Sequence, residues 1–230
     1  MKRSEINAVI RDCESFLQSR QFCLPPFAYW TPSEWRERRA ATSEIVARRL
    51  GWDITDFGLG DFERTGLFVF TLRNGDPANL ERRQGKLYAE KILVIDPDQV
   101  TPFHFHWVKM EDIINRGGGN LLVQMYNSNE DGSAADSDVV VQVDGIDRTL
   151  PAGGVVGLQP GESITVSPML YHQFWAAGQR VLAGEVSLVN DDLTDNRFLA
   201  AGGRFPSIEE DEEPEHLLVG DYDRHLETLH

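Results

Sequence analysis

The 230-residue sequence predicts a mainly β fold, a sandwich or barrel of many short strands with helices packed on its outside. Three observations support this class. A helical pattern is confined to the first third, hydrophobicity begins to alternate near Leu67, and turn dipeptides separate the segments that follow. We expect one compact domain with a helical segment over 1–65, a barrel over 66–200, and an acidic loop with a short helix over 201–230.

The first helix is predicted by an apolar stripe near the N-terminus. Apolar side chains recur at three- and four-residue spacing between Ile6 and Leu17, which places them on one helical face. Such a stripe must be covered, so we expect it to pack on the barrel or to contribute to a dimer. A second helix begins after the capping residue Thr31, with Pro32 in its first turn, and a third covers about 43–50.

The strands are predicted from Leu67 onwards, where short β-branched or aromatic segments follow one another. The segments are LFVFTL, KILVID, FHFHW, NLLVQMY, DVVVQVD, ESITV, HQFWA and VLAGEVSLV. The turn signals between them are Asn74-Gly75, Asp144-Gly145, Pro160-Gly161 and Ala177-Gly178. Many short strands at this spacing are typical of a sandwich or barrel.

Composition excludes some partners and favours one compartment. A net charge of −15 repels the phosphate backbone of nucleic acids. No apolar run approaches the ~20 residues of a membrane helix, and the N-terminal residues lack the apolar segment of a signal peptide. Cys13 and Cys23 do not have the spacing of a disulfide scaffold, so we expect a protein of the reducing cytoplasm. The acidic run at 209–215 is most simply a solvated loop.

A metal site is predicted by the run around His104 and His106. Alternate side chains of a strand share a face, so these two imidazoles point the same way. Glu111 follows after enough chain for a turn, and the glycines at 117–119 allow a sharp reversal. His172 begins an apolar strand and is the expected fourth ligand, because the other histidines lie in the polar tail. Three nitrogens and one carboxylate suit Mn, Fe, Co, Ni or Zn better than Ca or Mg.

These residues resemble the two sequence motifs of the cupin barrels. The first motif, His-x-His, four residues, Glu, six residues and Gly, corresponds to His104, His106, Glu111 and Gly118. The second, looser motif corresponds to Gly161, Pro168 and His172. The sequence departs from the family pattern where Asp98 replaces the opening glycine and Ala176 replaces an asparagine. The resemblance implies a double-stranded β-helix, or jelly-roll, barrel.

Longer runs resemble one family of cupins, the D-lyxose isomerases. They are QVTPFHFHWVKMEDIINRGGGNLLVQMYN, PGESITVSPMLYHQFW and EVSLVNDDLTDNRF, within roughly 85–215. The resemblance implies isomerisation of free sugars, chiefly D-lyxose to D-xylulose and D-mannose to D-fructose. It also implies Mn²⁺ as cofactor and a homodimer; Co²⁺, Zn²⁺, Fe²⁺ and Ni²⁺ stay open.

Aldose–ketose isomerisation also needs groups that transfer protons. Lys109 lies between two expected ligands and is the first candidate, with a solvated lysine on the barrel rim as the alternative. The resemblance points to a carboxylate in 204–211, where we expect Glu209. Glu185 is its competitor, with the alternative role of orienting a ligand. The polar residues of 191–197 suit sugar hydroxyls or their own loop hydrogen bonds.

Two rival functions fit the same ligand set. A cupin dioxygenase would use the three histidines and the glutamate with iron and consume oxygen. A non-catalytic sugar- or metal-binding cupin would need no proton-transfer groups. Lys109 and the acidic candidates therefore favour the isomerase.

Overall fold

A computed structural model describes residues 1–200 and 203–226 of the chain. The helices of this part are α1 (Arg3–Ser19), α2 (Pro32–Arg38), α3 (Ser43–Ala47), α4 (Pro77–Arg82) and α5 (Tyr222–Leu226). The first strands are β1 (Gly51–Thr55), β2 (Leu67–Arg73), β3 (Tyr88–Ile95), β4 (His104–His106) and β5 (Glu111–Asn127). The remaining strands are β6 (Val139–Val143), β7 (Ile146–Leu150), β8 (Val155–Leu158), β9 (Ser163–Val166), β10 (Leu170–Leu188) and β11 (Asn196–Phe198).

The strands form one antiparallel sheet in the order β1-β2-β3-β10-β5-β9-β6-β7. Off this path β8 pairs with β5, and β4 pairs with both β10 and β11. The long strand β10 therefore contacts β3, β4 and β5 along its length. This architecture confirms the mainly β prediction, with β10 as the element that brings distant segments together.

The two faces of β3 show where the core lies. Leu93 and Ile95 belong to the apolar cluster inside the barrel. Ile92 and Val94 alternate with them and belong to a second cluster, which also contains Ile6, Ile10, Cys13 and Leu17 of α1. Successive side chains of a strand point to opposite faces, so one strand separates the interior from the helical layer. The prediction that the first helix packs on the outside of the barrel is confirmed.

The structure adds a strand to the segment for which helices were predicted. α2 begins as expected, because the Thr31 hydroxyl accepts the Glu34 backbone N–H at 3.3 Å and the Glu34 carboxylate accepts the Thr31 N–H at 2.9 Å. β1 then pairs with β2 from Gly51 to Thr55. Trp52 and its neighbour Ile54 fill the outer cluster from this strand. The segment that forms β1 is too short for strand alternation in its sequence to be distinguished from the end of a helix.

The glycines of 117–119 bend β5 instead of reversing it. β5 continues through them and pairs with β10 on both sides of a register shift. At Gly118, whose φ is +111°, an added Cβ would lie 2.0 Å from the carbonyl oxygen of Arg180. The missing side chain therefore allows two backbones to approach closely within a continuous strand pair.

The acidic run after residue 208 lies along α1. The guanidinium of Arg3, fully buried, donates to Glu210 and Asp221 at 2.8 Å each. Further along the helix, Arg11 forms an ion pair with Glu215. These contacts give part of the acidic run a partner, where the sequence predicted a solvated loop. None of the helices in the described chain is long and apolar enough to cross a membrane.

Candidate active site

Three histidines meet inside the barrel. His104 and His106 lie on β4, and His172 on β10 is directly opposite His104 in the strand register. Each of the three offers a ring nitrogen within 4.8 Å of those of the others. His106 and His172 are buried, so the cluster is shielded from water. Such a group could hold a metal ion.

Local hydrogen bonds select the tautomer of two of these rings. His104 Nδ1 lies 2.9 Å from the carbonyl oxygen of Pro102, and His172 Nδ1 lies 3.0 Å from that of Leu170. Because a carbonyl only accepts, Nδ1 is the protonated nitrogen, which leaves the lone pair on Nε2. Burial also lowers the pKa of His104 and His106, so both rings are neutral, the form that binds metals.

Glu111 faces the same nitrogens. Its Oε1 lies 3.0 Å from His172 Nε2 and 3.5 Å from His106 Nε2. Within the described residues, both Nε2 atoms are buried and have no hydrogen-bond partner. Lone pairs facing a carboxylate repel one another unless a cation lies between them. This donor set therefore fits a divalent first-row metal, and Glu111 lies where the sequence predicts a ligand.

Lys109 connects Glu111 to a second carboxylate. Its Nζ lies 2.6 Å from Glu111 Oε2 and 2.8 Å from Glu185 Oε1. Burial disfavours the ammonium, but the two carboxylates outweigh burial and raise the pKa of Lys109. Asp195 accepts the Lys109 backbone N–H at 3.0 Å and so fixes this turn. With only 3% of Lys109 exposed, the structure places it inside the pocket, not on a solvated rim.

A second lysine in the pocket was missed by the sequence analysis. Lys91 Nζ lies 3.3 Å from Glu185 Oε1 and donates to Asn190 Oδ1 at 2.6 Å. Asn190 Oδ1 also accepts from Lys109 Nζ at 3.4 Å. The signal for Lys91 was present in the segment KILVID, where a lysine directly precedes four apolar residues.

The pocket carries another buried charge cluster around Arg204. Arg204 Nη2 donates to Asp53 at 2.5 Å, and Arg204 Nε lies 3.5 Å from Asp192. Burial would raise the pKa of Asp192, but the charges of Arg204 and the two lysines lower it further than burial raises it. Arg204 Nη1 is buried without a hydrogen-bond partner among the described residues. Phe57 and Phe198 add aromatic walls to the same pocket.

The polar segment 191–197 divides into two groups. Asp192 and Asn196 line the pocket. Asp191 instead accepts the backbone N–H groups of residues 193 and 194, and Arg197 donates to the carbonyl oxygen of Asp131. Asp191 therefore builds the loop itself, Arg197 connects it to another loop, and two members face the site.

The structure does not bring Glu209 to this pocket. Glu209 is exposed, and its backbone bonds to Met1 and Arg3 at the start of α1. It borders a different surface cavity. The chain leaves the pocket at Arg204 to reach α1, so Arg204 is the member of 204–211 that lines the site. Glu185 is the candidate carboxylate beside Lys109.

Comparisons with known proteins agree on one kind of enzyme. The model of the D-lyxose isomerase family matches residues 1–222. A D-lyxose/D-mannose isomerase of Serratia proteamaculans is 46% identical over 231 residues, covering 98% of this chain and 100% of the relative. One of Escherichia coli O157:H7 is 46% identical over 225 residues, covering 96% and 98%.

Solved structures resemble this chain in fold. An L-ribose isomerase of Acinetobacter sp. DL28 in complex with L-ribose has a TM-score of 0.59 at 13% identity, covering 91% of this chain and 98% of its own. An L-ribose isomerase of Cellulomonas parahominis has a TM-score of 0.57 at 16% identity, covering 91% and 98%. At these identities the likeness concerns the fold, and it agrees with the predicted cupin-type jelly-roll barrel.

Proposed function

The chain belongs to the D-lyxose isomerase family and is a sugar isomerase, and on this premise we propose that it interconverts D-lyxose with D-xylulose and D-mannose with D-fructose. The names of its 46%-identical relatives support these two substrates. The observation that carries the proposal is the juxtaposition of a metal donor set with a buried lysine–carboxylate pair, Lys109 and Glu185, in one pocket.

We propose His104, His106, Glu111 and His172 as the residues that hold the metal. Their neutral nitrogens and single carboxylate support a first-row divalent ion. A bound ion would act as a Lewis acid toward neighbouring oxygens of the sugar. Family resemblance favours Mn²⁺, and the donor set also suits Co²⁺, Zn²⁺, Fe²⁺ or Ni²⁺.

The reaction moves one hydrogen between two carbons without net oxidation. In the direction from aldose to ketose, the Glu185 carboxylate removes the proton from C2 and returns it to C1. The electron pair of the broken C2–H bond forms the C1–C2 double bond of an ene-diol, and O1 gains negative charge. The Lys109 ammonium gives a proton to O1, which becomes the hydroxyl, and Lys109 regains a proton from O2 as the C2 carbonyl forms and Glu185 returns its proton to C1, so that both groups end as they began.

Lys109 suits this role because its charge is secured before substrate arrives. Glu111 and Glu185 keep the ammonium protonated in a buried site. A hydrogen bond from a preorganised buried cation costs little reorganisation when charge develops. The Glu185 carboxylate, 7% exposed, lies in the same contact, beside the position at which we propose that it accepts a proton from carbon.

The polar groups around Arg204 suit the hydroxyl-bearing tail of a sugar. Arg204 Nη1 is a buried donor without a partner in the described part of the chain, and Asp192 and Asn196 add polar atoms. We propose that these groups bind hydroxyls beyond C2, while Phe57 and Phe198 exclude water from the reacting carbons. Buried polar groups that are paired only by the correct substrate provide discrimination between sugars.

We also propose a homodimer in the cytoplasm. Family resemblance supports the dimer, which light scattering of the purified protein would test. The two cysteines are free, Cys13 buried and Cys23 exposed, as suits a reducing compartment.

The proposed function is tested with a panel of free aldoses and ketoses incubated with the Mn-loaded protein. We expect D-lyxose to give D-xylulose and D-mannose to give D-fructose, with no oxygen uptake. Oxygen consumption during turnover would indicate the dioxygenase instead. Saturable sugar binding without conversion of any sugar would indicate a binding protein.

A further inference from the structure

We propose that Lys91 is a positioning residue of the isomerase, which holds the Glu185 carboxylate in place through a charged contact while Lys109 donates to the substrate. The inference rests on the proposed function, because it assigns Glu185 the transfer of the carbon-bound proton. It concerns a buried lysine to which the reaction described above gives no part.

Strand register places Lys91 against Glu185. The two residues are directly opposite each other on β3 and β10. Lys91 alternates with Leu93 and Ile95 of the interior cluster, so its side chain points into the barrel. Only 4% of Lys91 and 7% of Glu185 is exposed. The 3.3 Å separation between Lys91 Nζ and Glu185 Oε1 is therefore a contact inside the pocket, hardly screened by water.

The division of labour follows from what each lysine contacts. Lys109 is shared between two carboxylates, at 2.6 Å from Glu111 and 2.8 Å from Glu185. Lys91 has an ion pair with Glu185 alone among the described residues. When Lys109 directs a donor toward a sugar oxygen, its ion pair with Glu185 weakens. A buried carboxylate without a cation takes up a proton, and a protonated Glu185 cannot act as a base.

Asn190 keeps Lys91 in place. Its Oδ1 accepts from Lys91 Nζ at 2.6 Å, and its backbone is held by Asn74 through two bonds, of 3.0 Å and 2.9 Å. Lys91 therefore remains beside Glu185 whether or not Lys109 moves.

The charged groups around Glu185 come from three elements. Lys91 faces it from β3 and Lys109 from the turn before β5, while Asp192 lines the same pocket after β10. Asp192 already has Arg204 as its partner. Removal of Lys91 would thus leave Lys109 as the one cation in direct contact with Glu185 within the described residues.

The test compares Lys91→Met with Lys86→Met, a lysine exchange outside the lining of the pocket. We expect Lys91→Met to keep its metal and to keep KM for D-lyxose within a few fold. Its kcat should fall about 10²-fold, the cost of misplacing a reacting group by ~1 Å. The acidic limb of its kcat/KM profile should move to higher pH, and that of Lys86→Met should not move.

A second measurement does not depend on turnover. The carboxyl carbon of Glu185 can be followed by ¹³C NMR in metal-free protein and identified by its loss in Glu185→Gln. We expect its titration midpoint to be higher in Lys91→Met than in wild type, and Lys91→Arg to restore both the midpoint and part of kcat. An unchanged midpoint and acidic limb, with a lower melting temperature alone, would make Lys91 a structural residue and overturn the proposal.

The two proposals fail in different ways. A wild-type protein that isomerises no sugar contradicts the proposed function, while the NMR midpoint still tests the Lys91–Glu185 contact. If Lys91→Met does not fold, Lys91→Arg decides: a wild-type midpoint and acidic limb support charge as the requirement. A shifted Glu185 midpoint with undiminished kcat would contradict the proposal that Lys91 positions Glu185.

Discussion

His172 on β10 lies directly opposite His104 on β4, with their ring centroids 4.3 Å apart. Each ring bonds through Nδ1 to the carbonyl two residues earlier in the chain, at Pro102 and Leu170. Two segments far apart in the sequence thus present the same local geometry, and both direct Nε2 toward the shared centre.

The first prediction concerns metal binding. His172→Ala should weaken the affinity for Mn²⁺ by at least about 10²-fold. Mutation of a residue that only supports a metal ligand already lowers metal affinity by about 10- to 100-fold. Metal content after dialysis and titration calorimetry would measure the loss. His225→Ala, on α5, is the matched control and should bind one ion per chain as wild type does. Unchanged affinity in His172→Ala would remove this residue from the site.

The second prediction separates chemistry from metal binding. Lys109→Ala should retain the metal and the fold while turnover of D-lyxose falls about 10²–10⁴-fold, the usual contribution of one proton-transfer group. Turnover, metal content and melting temperature would be measured together. Full metal with near-normal turnover would exclude Lys109 from the mechanism. Parallel loss of metal and activity would mean that its 2.6 Å contact with Glu111 supports the site instead.

The third prediction decides between the two candidate carboxylates. Glu185→Gln should bind metal and lose isomerisation, because Glu185 lies 2.8 Å from Lys109 in the pocket. Glu209→Gln should keep full turnover, since its residue is exposed beside α1. Each variant removes one carboxylate charge. A difference between their kcat values for D-lyxose therefore reflects only the position of the carboxylate that was removed. An inactive Glu209→Gln with an active Glu185→Gln would return the role to Glu209.

The fourth prediction concerns pH and stability. His216 Nδ1 donates to the carbonyl oxygen of Trp30 at 3.1 Å, and its Nε2 lies 3.4 Å from Glu14 on α1. Burial lowers its pKa, but these two acceptors outweigh burial and raise it above the ordinary 6.5. A raised folded-state pKa adds stability that is fully present below about 6.5 and is lost as the pH rises through the folded value.

Urea unfolding of wild type and His216→Gln would measure this effect. The difference in unfolding free energy should be larger at about pH 5.5 than at about pH 9. Glu14→Gln removes the partner and should show the same pH dependence. A difference that is equal at both pH values would mean that His216 stabilises the chain by packing against Trp52, whose ring stacks on it, and not by charge.

The sequence pattern predicted the structural features that depend on residues close together in the chain. Period-two alternation placed His104 and His106 on one face, and the capping sequence after Thr31 predicted the start of α2. The pairing of distant strands was not predictable in this way. The opposition of Lys91 and Glu185 depends on the register of β3 against β10, which no local signal encodes.

The sequence favoured Glu209 over Glu185 as the carboxylate, and the distance of Glu209 from the pocket could not be predicted for a related reason. The path of 204–211 is set by Arg204 joining Asp53 and by the backbone of Glu209 bonding to Arg3. Both contacts join the end of the chain to its beginning. Sequence spacing within the segment therefore did not indicate which of its residues reaches the pocket.

The strand order has a consequence for folding kinetics. The pocket is lined by residues from Phe57 to Arg204, and β10 must pair with β3, β4 and β5 before the lining is complete. Contacts between distant segments require loop-closure entropy to be lost first, so they form late in folding. The residues proposed to hold the metal thus come together only after the barrel has closed. A bound ion stabilises the native state by mass action, and it should slow unfolding while leaving the refolding rate almost unchanged.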